Sequence, residues 1–180
     1  MYNLSYSQVL IMSRSHMKRF AVAFTGPSGS GKTTLVEKIS TILIENREVA
    51  IIKHDPKDKG QFDKEGKDSH KFSQTGAEVV VSSPTRTTYF SKRHKELDEI
   101  IEMFNHFDIL LVEGLKTLPL PRIAIFRNSI EESYLSCSEA IAIDDSININ
   151  DYEIPKTIDI LDLNNTLEII EWIDKNAKNV

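Results

Sequence analysis

Phe20 to Leu35 reads FAVAFTGPSGSGKTTL. Its first six residues, Phe20 to Thr25, form an apolar run without alternation, the pattern of a strand covered on both faces. Gly26, Pro27, Ser28, Gly29, Ser30, Gly31, Lys32 and Thr33 then fit G-x-x-x-x-G-K-[ST], a phosphate-binding loop. Without a Cβ, Gly26, Gly29 and Gly31 can adopt positive φ and let the backbone approach an anion closely. The loop amides then converge on phosphate oxygens as a nest, and the following helix adds its positive end. In such loops the lysine, here Lys32, reaches the β- and γ-phosphates, and the hydroxyl of Thr33 binds Mg²⁺. Ser28, Ser30 and Thr34 complete the candidate phosphate-contacting set. A chance glycine loop would not also follow an apolar strand and open an amphipathic helix.

Outward from this stretch, Leu35, Val36, Ile39, Ile42 and Leu43 recur at helical spacing, with Glu37, Lys38 and Glu45 off the stripe. VAIIK at 49–53 reads as a second buried strand, and DILLV at 108–112, RIAIF at 122–126 and AIAI at 140–143 read as three more. Ala77 to Ser82 predicts another strand and Thr87 to Phe90 a short one. His94 to Phe104 predicts a helix, and Leu167, Ile170, Trp172 and Ile173 mark a C-terminal one. A short helix is expected from Asp68 to Gln74, ending at Gly76, whereas the polar, lysine-rich stretch from Asp55 to Lys67 reads as a mobile loop. Apolar strands alternating with helices imply an α/β fold of P-loop NTPase type, a three-layer, mostly parallel sheet with helices on both faces.

The 180 residues suit one domain, expected over 19–180, and one cysteine, Cys137, allows no internal disulfide. Residues 1–18 read as a loosely ordered extension, of which 1–16 could come from an early start. Its apolar run at Val9 to Met12 is too short for a signal peptide or a membrane span, so a cytoplasmic location is expected. The net charge of −5, without a basic block, argues against a nucleic-acid partner.

In doubly wound sheets ligands bind at the carboxyl ends of strands. Glu113 directly follows DILLV and Asp55 closely follows VAIIK, so each is a candidate for Mg²⁺, bound directly or through water. Lys53 ends the same second strand and is a candidate phosphate contact, although it could equally reach solvent. Asp63 and Gly66 spell D-x-x-G, but inside a polar loop instead of at a strand end. No N-K-x-D or T-K-x-D occurs. These residues therefore leave ATP and GTP undecided.

GPSGSGKTTL at 26–35, IIKHD at 51–55, FDKEGKDS at 62–69, QTGAEVVVSSP at 74–84 and DILLVEGLKTLPLPRI at 108–123 together resemble the MobB family of molybdopterin-guanine dinucleotide biosynthesis adaptors. The resemblance spans roughly residues 18–145. It implies a P-loop homodimer joined through its sheet, which binds GTP with weak hydrolysis at most. It also implies assistance to the guanylyltransferase that joins GMP to molybdopterin. On this sequence it places the phosphates at Gly29 to Thr34 and Mg²⁺ at Thr33 and Glu113, beside Gly114. It adds a second signature at Asp63, Gly66, Lys67, Asp68 and Ser69. Family members commonly carry further histidines after the K-H pair, where this chain has Asp55, Pro56 and Lys57.

Two other readings share the loop. A small-molecule kinase needs a lid that brings arginines over the transferred phosphoryl group, and the seven arginines here are scattered. Only Arg122 and Arg127 follow Arg93, so no internal arginine finger is evident from the sequence. A nucleotide-state switch protein would use the 55–67 stretch as its switch.

Overall fold

A computed structural model describes residues 18–180, so the expected extension lies outside the described residues except for Lys18. The chain gathers into two compact units. One runs to His54 and resumes at His106–Val180; the other is Asp55–Asn105.

The first unit is built on a mostly parallel sheet. Its strands are β1 (Phe20–Thr25), β2 (Val49–Lys53), β5 (Ile109–Glu113), β6 (Arg122–Phe126), β7 (Ala140–Ile143) and β8 (Asp159–Asp162), in the spatial order β2-β5-β1-β6-β7-β8. The short β9 (Lys178–Asn179) runs antiparallel to Phe20 and Ala21, while β6 pairs parallel with Ala23 to Thr25. Those two strands share one edge of β1. After β1 the chain crosses to β2 on one side and later reaches β6 on the other. The carboxyl end of β1 is therefore a topological switch point, the place where such sheets bind ligands.

Helix α1 (Lys32–Leu43) buries Leu35, Val36, Ile39 and Leu43, and the C-terminal helix (Thr166–Asn176) buries Ile169, Ile170, Trp172 and Ile173. Both stripes join Val22, Phe24, Ile109, Leu111, Ile123 and Ile125 in one apolar cluster on one face of the sheet. The alternate strand residues Ala124, Phe126 and Ile141 form a second cluster on the opposite face, with Tyr134 and Leu135 of a 3-10 helix (Glu132–Cys137) packed against it. Helical segments thus cover both faces. Ile42 and Leu167, expected on the buried stripes, are 36 % and 61 % exposed. Each lies at the margin of the stripe its helix buries.

The second unit holds α2 (Asp68–Gln74), a two-stranded antiparallel sheet of β3 (Val79–Ser83) and β4 (Arg86–Phe90), and α3 (Leu97–Met103). The strand expected at Ala77 to Ser82 begins two residues later and forms a hairpin outside the main sheet. Val80 is 60 % exposed and Val81 41 %. An apolar run shows β-propensity without showing what covers it. The helix expected from His94 begins only at Leu97, because Glu96 and Glu99 close a capping box there. No helix among the described residues is long and apolar enough to cross a membrane.

Candidate functional site

The loop after β1 turns on three glycines at positive φ, Gly26 (136°), Gly29 (80°) and Gly31 (96°). A Cβ on Gly26 would sit 2.3 Å from the carbonyl oxygen of Ile125 on β6, so only glycine lets the loop leave the sheet there. A Cβ on Gly29 would meet nothing within 4 Å, which leaves that side of the loop open.

Helix α1 starts from this loop with no side-chain cap and no acidic residue in its first turn. Helices usually fill those positions with Ser, Asp or Glu to satisfy the first amides and the dipole. Here the amide end of α1 is left for an outside anion. The Ser30 hydroxyl is buried, 4 % exposed for the residue, and has no hydrogen-bond partner among the described residues. A buried hydroxyl without a partner is costly, and an oxyanion in the loop would supply one.

The Lys32 ammonium folds back over the loop and donates to the carbonyls of Gly26 at 2.9 Å and Pro27 at 2.6 Å. Partial burial pushes its pKa below the ordinary lysine value; Glu113 opposes the shift, and Lys53 and Lys116 reinforce it. Loop, lysine and helix end form one cationic cradle.

The Thr33 hydroxyl, in the first turn of α1, donates to both carboxylate oxygens of Glu113, at 3.2 and 3.3 Å. Glu113 ends β5 in register with Phe24 on β1 and Lys53 on β2. Its side chain is 12 % exposed and meets the Lys53 ammonium at 3.5 Å. Thr33, Glu113 and Lys53, chosen separately from the sequence, therefore come together beside Lys32. Ser28 and Thr34 are exposed on the same loop and helix start.

The turn after Glu113 is tightly held. Gly114 has a φ of 96° and packs on His54, where a Cβ would come 3.0 Å from that of His54. Leu115 follows with a φ of 52°, a left-handed conformation that costs a non-glycine residue about 1 kcal/mol. Arg122, only 3 % exposed, holds the turn in place. Its guanidinium donates to the carbonyls of Leu115 (3.1 Å), Leu118 (2.9 Å) and Cys137 (2.8 Å). Lys116, next in the turn, lies 3.5 Å from the centre of the Tyr134 ring.

Asp55 belongs to the second unit, where its carboxylate accepts the amides of Lys57, Lys59 and Gly60 and so organises the start of the polar stretch. Asp63 accepts the hydroxyls of Ser69 at 2.9 Å and Ser73 at 3.0 Å. Gly66 has a φ of 84°, Lys67 is the N-cap residue of α2, and Asp68 opens that helix. The second signature thus encodes a turn and a helix start, with Lys67 and Asp68 exposed. Among the described residues no three His, Cys, Asp or Glu side chains converge as a metal cluster. Thr33 and Glu113 are the residues that could hold a Mg²⁺, an ion that keeps several waters and takes few protein carboxylates.

The model of the family Molybdopterin guanine dinucleotide synthesis protein B matches residues 21–145. The chain belongs to the MobB family. It is 33 % identical over 160 residues to the molybdopterin-guanine dinucleotide biosynthesis adapter protein of Haemophilus influenzae, covering 85 % of this chain and 86 % of that one. It is 28 % identical over 168 residues to the protein of that name from Escherichia coli, covering 86 % and 93 %. The crystal structure of Bacillus subtilis MobB superposes with a TM-score of 0.71 at 23 % identity, covering 87 % of this chain and 98 % of that one, a likeness of fold.

Sequence reasoning about this MobB-family chain named Arg127 only to set aside an arginine finger, and passed over Asp144. Arg127 follows β6 directly, Asp144 follows β7 directly, and the two form an ion pair at 3.3 Å. The strand-end rule that selected Glu113 would have selected both. Lys116 lies within the DILLVEGLKTLPLPRI stretch, which gave it no role.

Proposed function

We propose that this chain binds GTP with Mg²⁺ at the loop of Gly26 to Thr34 and acts in the cytoplasm as an adaptor in molybdopterin-guanine dinucleotide biosynthesis. The observation that carries the reading is the convergence of Thr33 and Glu113 beside an uncapped helix start. A hydroxyl and a carboxylate facing each other next to a phosphate cradle are a P-loop protein's means of holding the metal of a metal–nucleotide complex. The unpartnered Ser30 hydroxyl and the open side of Gly29 fit an anion in the loop. When bound, Mg²⁺ would neutralise phosphate charge. Lys32 and Lys53 would neutralise more, and Glu113 would hold the metal's side of the nucleotide. Guanine as the base, and the guanylyltransferase as the protein assisted, are taken from the family and from the names of its relatives.

Binding and delivery, with slow hydrolysis, is the activity this site favours. Glu113 is engaged by Thr33 and Lys53, which ties up the carboxylate that would otherwise align a water. A homodimer is part of the proposal, and the exposed Val80 and Val81 of β3 offer such a contact apolar surface. The second signature, Asp63 to Ser69, is assigned to nucleotide or partner contact through the exposed Lys67 and Asp68. Asp55 is assigned to its loop through the three amides it accepts, with magnesium as an added role.

Calorimetric titration of the full chain with GTP and ATP, with and without Mg²⁺, tests the reading. Magnesium-dependent binding that favours GTP is expected. Equal affinity for ATP would remove guanine, and turnover of several per second would remove the adaptor role.

A further inference from the structure

The two flanks of the phosphate loop differ in chemistry. On the β5 side stand Thr33, Glu113 and Lys53. On the opposite side, past β6, stands Arg127. Its guanidinium lies broadside against Gly31, with Nε, Cζ and Nη2 at 3.4, 3.7 and 3.7 Å from the place a Gly31 Cβ would occupy. A cation therefore sits over the residue that caps α1, next to the positive helix end. Asp144 offsets part of that positive charge, and an anion in the loop would meet both the guanidinium and the helix end.

The arginine is also aimed. Its Nε meets Asp144 Oδ2 at 3.3 Å, and its terminal Nη groups make no hydrogen bond among the described residues. Asp144 is itself fixed: Ser146 donates both its amide (3.1 Å) and its hydroxyl (2.5 Å) to Oδ1. The Ser146 hydroxyl in turn accepts the amide of Asn128, which stands at a φ of 65°. The turns after β6 and β7 are thus tied into one frame that presents a guanidinium beside Gly31 at the loop. Arginine suits a planar contact to a phosphate oxygen better than a point charge does.

We infer that Arg127 binds the α-phosphate and nucleoside end of the nucleotide, with Asp144 as its positioning residue, so that the nucleotide lies across the sheet from β5 (γ end) to β6–β7 (nucleoside end). This rests on the reading of the loop as a nucleotide site and adds its direction. The metal pair fixes the β/γ end on the β5 side. A nucleotide running the other way would put its terminal phosphates on Arg127 and leave Glu113 facing uncharged sugar.

The test titrates the full chain and its Arg127→Ala, Arg127→Lys and Asp144→Asn variants with Mg²⁺ and GTP, GDP or inorganic pyrophosphate. Arg127→Ala should weaken GTP and GDP by one common factor of about 10 to 100, the size of a lost charge-assisted contact, and leave pyrophosphate within about twofold. Arg127→Lys should recover part of the loss. Asp144→Asn should weaken GTP and GDP by a smaller common factor. Should the alanine variant not fold, Arg127→Gln gives the same comparison. Unchanged GTP affinity in a folded Arg127→Ala protein overturns the inference, as does a pyrophosphate loss equal to the GTP loss. If the unaltered chain binds none of the three ligands, the nucleotide reading itself fails, which is a distinct result.

Discussion

The Thr33 hydroxyl donates to both oxygens of the Glu113 carboxylate, and so joins the first turn of α1 to the end of β5 across 80 residues of sequence. Neither residue gains much stability from so exposed a hydrogen bond. Its consequence is placement of a neutral and an anionic oxygen ligand on one side of the loop. Glu113→Gln keeps the shape and the acceptor but removes the charge. The magnesium-dependent part of GTP affinity should fall about tenfold, while binding in chelator should stay level or improve, since a carboxylate near phosphate repels it. Parallel titrations with Mg²⁺ and with EDTA check this, and an equal fall in both would place Glu113 outside the metal site.

Lys32→Ala removes the ammonium that closes the loop. GTP affinity should drop about 10- to 100-fold or more, as expected for a charge-assisted contact to a partly buried anion. Thermal unfolding without ligand should move little, because the lysine's two carbonyl partners lie in its own loop. A large loss of stability with retained affinity would reverse its assignment.

The same lysine sets a pH dependence. Its free-state pKa lies below the ordinary 10.5, chiefly through burial. Bound phosphate would favour the charged form and raise that pKa. Affinity should therefore be full below the lowered pKa, and should decline as pH rises from it toward the bound-state value, with a proton taken up on binding in that window. Calorimetry in two alkaline buffers of different ionisation enthalpy measures the uptake, which should vanish in Lys32→Ala.

Two glycines of the loop should respond differently to alanine. Gly26→Ala drives a Cβ into the Ile125 carbonyl and should cost about 2 kcal/mol or more of stability as well as binding. Gly29→Ala meets open space and should cost about 1 kcal/mol for its positive φ. Its methyl would point to the ligand side, so GTP binding should be lost from a protein that still folds. Denaturant midpoints read beside titrations separate the two.

Arg122 is a buried cation whose two terminal nitrogens donate to three carbonyls, while its Nε has no partner among the described residues. Arg122→Met keeps the length of the side chain but strands three acceptors, and should destabilise the chain by about 2–4 kcal/mol. The turn that carries Lys116 should loosen with it, seen as faster amide exchange over 115–119. A neutral outcome in both measurements would mean that the turn holds itself.

Much of this was legible in the sequence because buried parallel strands carry continuous apolar runs. FAVAFT, DILLV, RIAIF and AIAI all lie in the sheet as expected. β8 was not legible, since DILD buries only Leu161, and β9 has no apolar signal in its two residues. The β3–β4 hairpin misled because VVV reads the same whether a sheet face is covered or bare. In the site, the loop and Glu113 announce themselves by motif and by position after a strand. Arg127 shares the position after a strand but carries no motif, and only the fold sets it against Gly31.

If the loop of Gly26 to Thr34, with Thr33 and Glu113, holds a guanine nucleotide through magnesium, titrating the full chain with GTP in Mg²⁺ and again in EDTA will show it. The expected result is saturable binding at one site per chain that weakens at least about tenfold without the metal. Absent binding, or binding of equal strength in EDTA, would contradict it.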